Sequence, residues 1–161
     1  MQLRARDTAP RHRLSVEDYY RMGEAGIFRE DDRVELIDGD IIDMAPIGSR
    51  HAGTLKRLAT LFRDAVGDKA IISVQDPVRL DHHSEPQPDL ALLRPREDYY
   101  SGAHPRPPDV LLIVEVAESS LAYDQEVKVP LYARRGIPEV WLVDLTAHAV
   151  LVHRGPGAGG Y

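Results

Sequence analysis

The chain has no cysteine among its 161 residues. That excludes disulfides and thiolate metal sites and suits a reducing compartment. It also lacks any apolar run near the roughly 18 residues needed to cross a bilayer. Residues 1–13 are polar and basic, without the apolar centre of a signal peptide. The expectation is a cytoplasmic protein with no membrane partner. Nor is there an excess of positive charge: the formal net charge is −6. This counts against a protein that grips nucleic acid over a wide surface, because phosphate contacts need clustered Lys and Arg. It does not count against a nuclease, whose acidic residues hold metal. Internal repeats and domain linkers are absent too.

What is present, a chain 43% hydrophobic, fits one domain with a real core. The expected organisation is a loose arm over residues 1–13 and a single domain over 14–161. The chain ends at Tyr161 where a further ordered segment is expected to begin.

Hydrophobic spacing then orders the chain. Ser15 reads as a helix N-cap with Asp18 in the capping-box position. Two apolar runs around Asp38-Gly39 predict a hairpin over 34–42. From Ser49 to Val66, His51, Leu55, Leu58, Phe62 and Ala65 recur at helical spacing, and Gly67 ends the helix. Ile71–Val74 and Val78–Leu80 predict a second extended pair. Asp89–Leu93 is a short strand, and 94–108 a Pro-rich surface loop. Val110–Val116 reads as a central strand buried on both faces. A helix is predicted over 124–135, with Pro130 forcing a late start or a kink. Val140–Leu145 and Ala149–His153 form a last strand pair around Thr146-Ala147-His148.

Glu115 lies inside the most apolar of these runs, on the same strand face as Leu111 and Ile113. A bare carboxylate there is costly, so it must be paired, protonated or bound to metal; the alternatives are a structural ion pair or a strand end in water. Asp89 heads the Leu90–Leu93 strand after Pro88 and reads either as a site acid or as the cap of a turn. Lys128 follows on the next helix, sharing a face with Asp124, Tyr132 and Arg135. Alone, it reads first as a solvated lysine with Asp124 as intrahelical partner. Together the three fit one chemistry. Two carboxylates hold Mg²⁺ or Mn²⁺ through oxygen, and a lysine beside a scissile phosphate positions the attacking water and offsets transition-state charge.

The segments Arg33–Gly39, Gln87-Pro-Asp-Leu-Ala91, Val114-Glu-Val116, Asp124…Lys128…Pro-Leu-Tyr132 and Gly136–Asp144 resemble the Uma-type family of restriction-endonuclease-like proteins, within the PD-(D/E)XK nuclease superfamily. The resemblance covers nearly the whole chain in order. It implies an α/β fold, a restriction-endonuclease-like mixed β-sheet flanked by α-helices. It also implies Asp89 and Glu115 as metal ligands, with the backbone carbonyl of Val116 beside them. The superfamily places a lysine two residues after the second acid, where this chain has Ala117; Lys128 on the following helix matches the family's displaced lysine.

Glu35 is an additional acid near the metal by resemblance, or else an exposed strand glutamate. Gln75 is a weaker candidate, because such sites often have a glutamine nearby. His51, on the inward helix face, is a hydrogen-bonded core residue or a site residue. His82-His83 point to opposite faces and read as a polar loop, Asp144 as structural, and Trp141 as core. Arg50, Lys56, Arg57 and Arg63 matter for a polyanion only if folding gathers them around the acids. The expected function is a metal-dependent endonuclease acting on DNA as a homodimer, since cutting both strands suits two-fold symmetry. The alternative is a catalytically inactive nuclease-fold module that binds nucleic acid or a protein.

Overall fold

The computed structural model describes residues 9–161, so most of the expected arm lies outside the described residues. The first helix, α1 (Val16–Glu24), opens with the reciprocal capping box foreseen for Ser15 and Asp18. The hairpin β1 (Val34–Ile37) and β2 (Asp40–Asp43) follows. Its two-residue turn needs left-handed backbone at both central positions, and Asp38 (φ 49°) and Gly39 (φ 86°) supply it. Gly39 is doubly constrained, because a Cβ there would stand 2.7 Å from Cβ of Arg13.

The main sheet has five strands: β3 (Ile71–Val74), β4 (Leu90–Leu93), β5 (Val110–Ala117), β6 (Glu139–Asp144) and β7 (Ala149–Arg154), in that spatial order. β5 and β6 run parallel and all other neighbours antiparallel, so the sheet is mixed. β5 is its central strand and is buried along nearly its whole length.

Each sheet face has its own core. On one face α2 (Ser49–Val66) lays Leu55, Leu58, Phe62 and Val66 over Leu90, Leu92, Leu112, Val114 and Val116. Ala65, expected on this stripe, is exposed, and Val66 takes its place. On the other face Ala91, Leu93 and Ile113 meet Val129, Leu131, Tyr132 and Ile137. Of the latter group, all but Ile137, which follows the turn after the helix, come from a composite helix: α3 (Leu121–Tyr123), a π-helical turn (Asp124–Lys128) and α4 (Val129–Arg134). Pro130 sits in the first turn of α4. A proline lacks the N–H and crowds the carbonyl four residues earlier, and the widened turn falls on those residues.

One expected strand is absent. Val78–Leu80 does not pair with β3; β4 does, with Ile72 opposite Leu92. Gln75 leaves the strand with a φ of 57°. Val78 and Leu80 then turn their N–H groups to Pro86 and Ser84 carbonyls, so the segment closes on itself while its apolar side chains still enter the core. No helix among the described residues is long and apolar enough to cross a membrane.

Candidate functional site

Strand register builds the site. Leu90 stands opposite Val114, so one step further sets Asp89 across from Glu115. Alternation points both side chains to the face of Ala91 and Ile113. The backbone ties them together: the Asp89 N–H donates to Glu115 Oε2 at 3.3 Å, and the Val116 N–H donates to Asp89 Oδ2 at 2.8 Å. His51, in the first turn of α2, meets the same Oδ2 through Nε2 at 3.1 Å. That hydrogen bond raises the imidazole pKa, with burial opposing it. No hydrogen bond from the described residues reaches Asp89 Oδ1.

The composite helix closes the site from the opposite side. Lys128 Nζ lies 2.8 Å from Glu115 Oε1 and 3.4 Å from Glu35 Oε2. The Tyr132 hydroxyl, one helical turn on, donates to Glu115 Oε1 at 2.6 Å. Glu35 projects from β1, and its Oε2 also accepts the Gln87 N–H at 2.9 Å. Asp124 is buried as well and accepts from Ser120 Oγ at 2.7 Å, making its short contact there rather than with Lys128.

Three buried carboxylates, Glu115, Glu35 and Asp124, thus act on one ammonium, and the nearly buried Asp89 adjoins Glu115. Burial drives the Glu115 carboxyl up to about 8, Lys128 pulling it back and Asp89 and Asp124 adding to the rise. Burial also raises Asp124. For Lys128 burial works against the charged form, but Glu115, Glu35 and Asp124 outweigh it and hold the ammonium charged. The surplus of negative charge and an all-carboxylate donor pair suit a hard divalent cation. Among the described residues no three acids or histidines close into a ready cage. Mg²⁺ does not need one, because it keeps several waters and is held by one or two carboxylates.

These groups form the floor of a cleft of about 350 Å³. One wall is the apolar segment from Ile42 through Met44, Pro46 and Ile47; the other carries Glu118, Ser120 and Tyr123. The structure therefore brings Asp89, Glu115, Lys128, Glu35 and Val116 to one place, and His51 with them. Glu35 is buried rather than an exposed strand residue. Gln75 is not part of the lining; it serves the site through its backbone N–H, which holds the Asp89 carbonyl at 3.0 Å. Asp144 ends its strand by accepting the N–H groups of Thr146 and Ala147. Trp141 lies half-buried against Phe62. His82 and His83 bond to Glu17 and to the Leu14 carbonyl, apart from the cleft. Lys56, Arg57 and Arg63 are exposed and stay out of the lining, and Arg50 reaches only its rim, through Glu118.

Sequence reasoning passed over the roles of Tyr132, Tyr123 and the Gln87 N–H. The first had a signal, since Tyr132 shares a helix face with Lys128. The other two depend on how the hairpin and α3 close over the sheet, which no spacing shows.

Comparison with known proteins identifies the family and the fold. The model of the Uma2 family, described as "Putative restriction endonuclease", matches residues 16–161. No curated protein matches the sequence. Among solved structures, a crystal structure from Anabaena variabilis ATCC 29413, titled as "a putative nuclease belonging to DUF820", superposes with a TM-score of 0.69 at 15% identity. The likeness covers 89% of this chain and 80% of that one; at that identity it establishes the shared fold.

Proposed function

The chain belongs to the Uma2 family, and on that premise we propose that it is a Mg²⁺- or Mn²⁺-dependent endonuclease hydrolysing DNA phosphodiester bonds. One observation carries the proposal: Asp89 and Glu115 from adjacent strands and Lys128 from the next helix meet at the floor of one cleft. A divalent cation held there would supply Lewis-acid polarisation of a phosphoryl oxygen.

The chain's own groups do the rest. Asp89 and Glu115 are the anchoring carboxylates, with the Val116 carbonyl as a further oxygen ligand by family resemblance. Asp89 offers its uncommitted Oδ1, while the Val116 N–H and His51 fix the other oxygen. Tyr132 and Lys128 fix Glu115 through Oε1 and leave Oε2 facing Asp89. Glu35 holds Lys128 from behind, so the ammonium is pre-placed to position water and to offset charge on a pentavalent phosphorus. Gln75 acts, in this reading, only by holding the Asp89 backbone.

The test is purified protein with Mg²⁺ or Mn²⁺ on single- and double-stranded DNA. Cleavage should disappear with chelator and fall at least about 100-fold in Asp89→Ala, as removal of one preorganised electrostatic group does. Undiminished cutting by Asp89→Ala sinks the mechanism.

A second reading, a catalytically silent module that binds nucleic acid or protein, draws on one observation. Glu115 Oε1 is already occupied by both Lys128 and Tyr132. Calorimetric titration separates the two, because the silent module takes up no Mg²⁺ at millimolar concentration, with or without DNA. The homodimer belongs to the first reading wherever both strands are cut. Sedimentation at micromolar concentration, with and without DNA, decides it.

A further inference from the structure

We propose that the cleft accepts a nucleotide of an unpaired DNA strand, a single-stranded stretch or a tail, rather than a phosphodiester within a regular duplex. This rests on the nuclease reading and specifies the substrate of that same site.

The depth of the floor is the first reason. Glu115, Lys128 and Glu35 are all at least nine-tenths buried, and Asp89 is only slightly more open. A phosphate must descend between two walls to reach them. The cavity, about 350 Å³, lies at the small end of the ~300–1,000 Å³ range of pockets that enclose one small molecule. That is the scale of one nucleotide. A duplex holds each phosphate on a stiff convex surface, and its neighbours would meet the walls first. An unpaired strand can turn one nucleotide inward, as enzymes that act on single bases require.

The chemistry of the walls is the second reason. The segment Ile42–Ile47 presents Ile42, Met44, Pro46 and Ile47 beside the acids, and Ile47 is 41% exposed at the lip. Apolar surface next to a phosphate site suits a base or a deoxyribose, and unpaired bases alone have free faces to lay against it. Opposite stands Tyr123, whose hydroxyl is buried in the cleft wall without a hydrogen-bond partner. Burial raises that phenol to about 12, so it keeps its proton and can donate to a phosphate or base oxygen.

Electrostatics is the third reason. Asp43 and Glu118 add to the four acids of the floor, against Arg33 and Lys128 as the lining cations. Arg33 itself donates to the Ala45 carbonyl. The rim arginine, Arg50, is held by Glu118 and the Leu145 carbonyl. Elsewhere Arg134, Arg135 and Arg96 are paired with Asp38, Asp81 and Asp98. A duplex-binding face tracks several phosphates with unpaired cations, and the cleft lining carries no such stripe among the described residues. An unpaired strand needs only one cleft, so the proposal does not depend on a homodimer.

The test uses the whole protein and three labelled DNAs: a mixed-sequence single strand and a blunt hairpin, each of about 30 nucleotides, for binding, and a hairpin with single-stranded tails for cleavage. Fluorescence anisotropy in EDTA reads binding without cleavage. The single strand should bind at least tenfold tighter than the hairpin, and Ile47→Glu, at an exposed position that does not endanger the fold, should erase most of that preference. With Mg²⁺, a hairpin carrying single-stranded tails should be cut in the tails and at least tenfold more slowly in the stem. Equal or tighter binding of the blunt hairpin, or stem cleavage as fast as tail cleavage, overturns the proposal while leaving the nuclease reading intact. Preferential single-strand binding that Ile47→Glu abolishes, with no DNA cut, upholds the proposal and removes the nuclease reading.

Discussion

Glu35, Glu115 and Asp124 crowd around a single buried ammonium, with Asp89 beside Glu115, and the arithmetic of charge decides what each substitution does. Removing one partner of a buried ion pair costs about 3–5 kcal/mol, because the other charge is left uncompensated. Lys128→Met should therefore destabilise the metal-free protein by that amount. Glu35→Gln in the same chain should return part of the loss, since it removes one of the surplus charges that Lys128 balanced at 3.4 Å. Urea unfolding in EDTA of the two single variants and the double variant closes the cycle. Simple additivity would show that Glu35 and Lys128 do not act as a unit. Glu115 stood out in the sequence as a carboxylate within an apolar strand, whereas Asp89 and Lys128 each had a bland reading and became candidates only through the chemistry they share with Glu115 and the family resemblance. Glu35 could not be settled, because alternation describes a strand's two faces and not what covers them. Here both faces of β1 are covered, so all four of its residues are buried. Asp124 was legible as a helical neighbour of Lys128. The π turn alters the spacing between them, and its hydrogen bond goes to Ser120 instead.

At the scale of elements, local chemistry that completes itself within a few residues was readable, and closure by distant segments was not. The capping box of α1, the Asp38-Gly39 turn and the Gly67 stop all depend on neighbours in sequence. The pairing of β3 with β4, 15 residues away across a looped segment, depends on where Gln75 breaks the strand. The β6–β7 pair offers a measurable electrostatic contribution. Glu139 accepts from Trp141 Nε1 at 2.6 Å and lies 3.0 Å from Arg154, its register partner on β7. The Arg154 hydrogen bond, aided by Trp141, holds the Glu139 carboxyl below its ordinary value of 4.5. A carboxyl depressed in the folded state stabilises above its unfolded pKa, and that contribution is lost as pH falls through the folded pKa. Glu139→Gln, which can still accept from Trp141, should cost about 0.5–1 kcal/mol at pH 7, the scale of a largely exposed pair. The gap between variant and wild type should close as pH is stepped down through 4.5 and below. A gap that persists unchanged in acid would assign the loss to packing.

For the whole molecule, a net charge of −6 and the pairing of Arg50, Arg96, Arg134 and Arg135 with carboxylates set how nucleic acid can be held. Affinity for a polyanion falls with salt in proportion to the phosphates neutralised, with a log–log slope of about −0.7 per phosphate on a single strand. Arg33 and Lys128 are the lining cations of the cleft, and His51, its pKa raised by Asp89, is a third when protonated. Three contacts at most give a slope of about −2. A duplex-binding protein with six to ten phosphate contacts shows a slope several times steeper. Anisotropy of the labelled single strand between 50 and 200 mM KCl, in EDTA, measures it directly. The shallow slope follows from binding that rests on one nucleotide seated against the Ile42–Ile47 wall, where apolar contact is indifferent to salt. A slope of about −5 or steeper would mean that exposed cations on α2, such as Lys56, Arg57 and Arg63, join the cleft in tracking the backbone. The acidic cleft would then be one part of a wider basic surface.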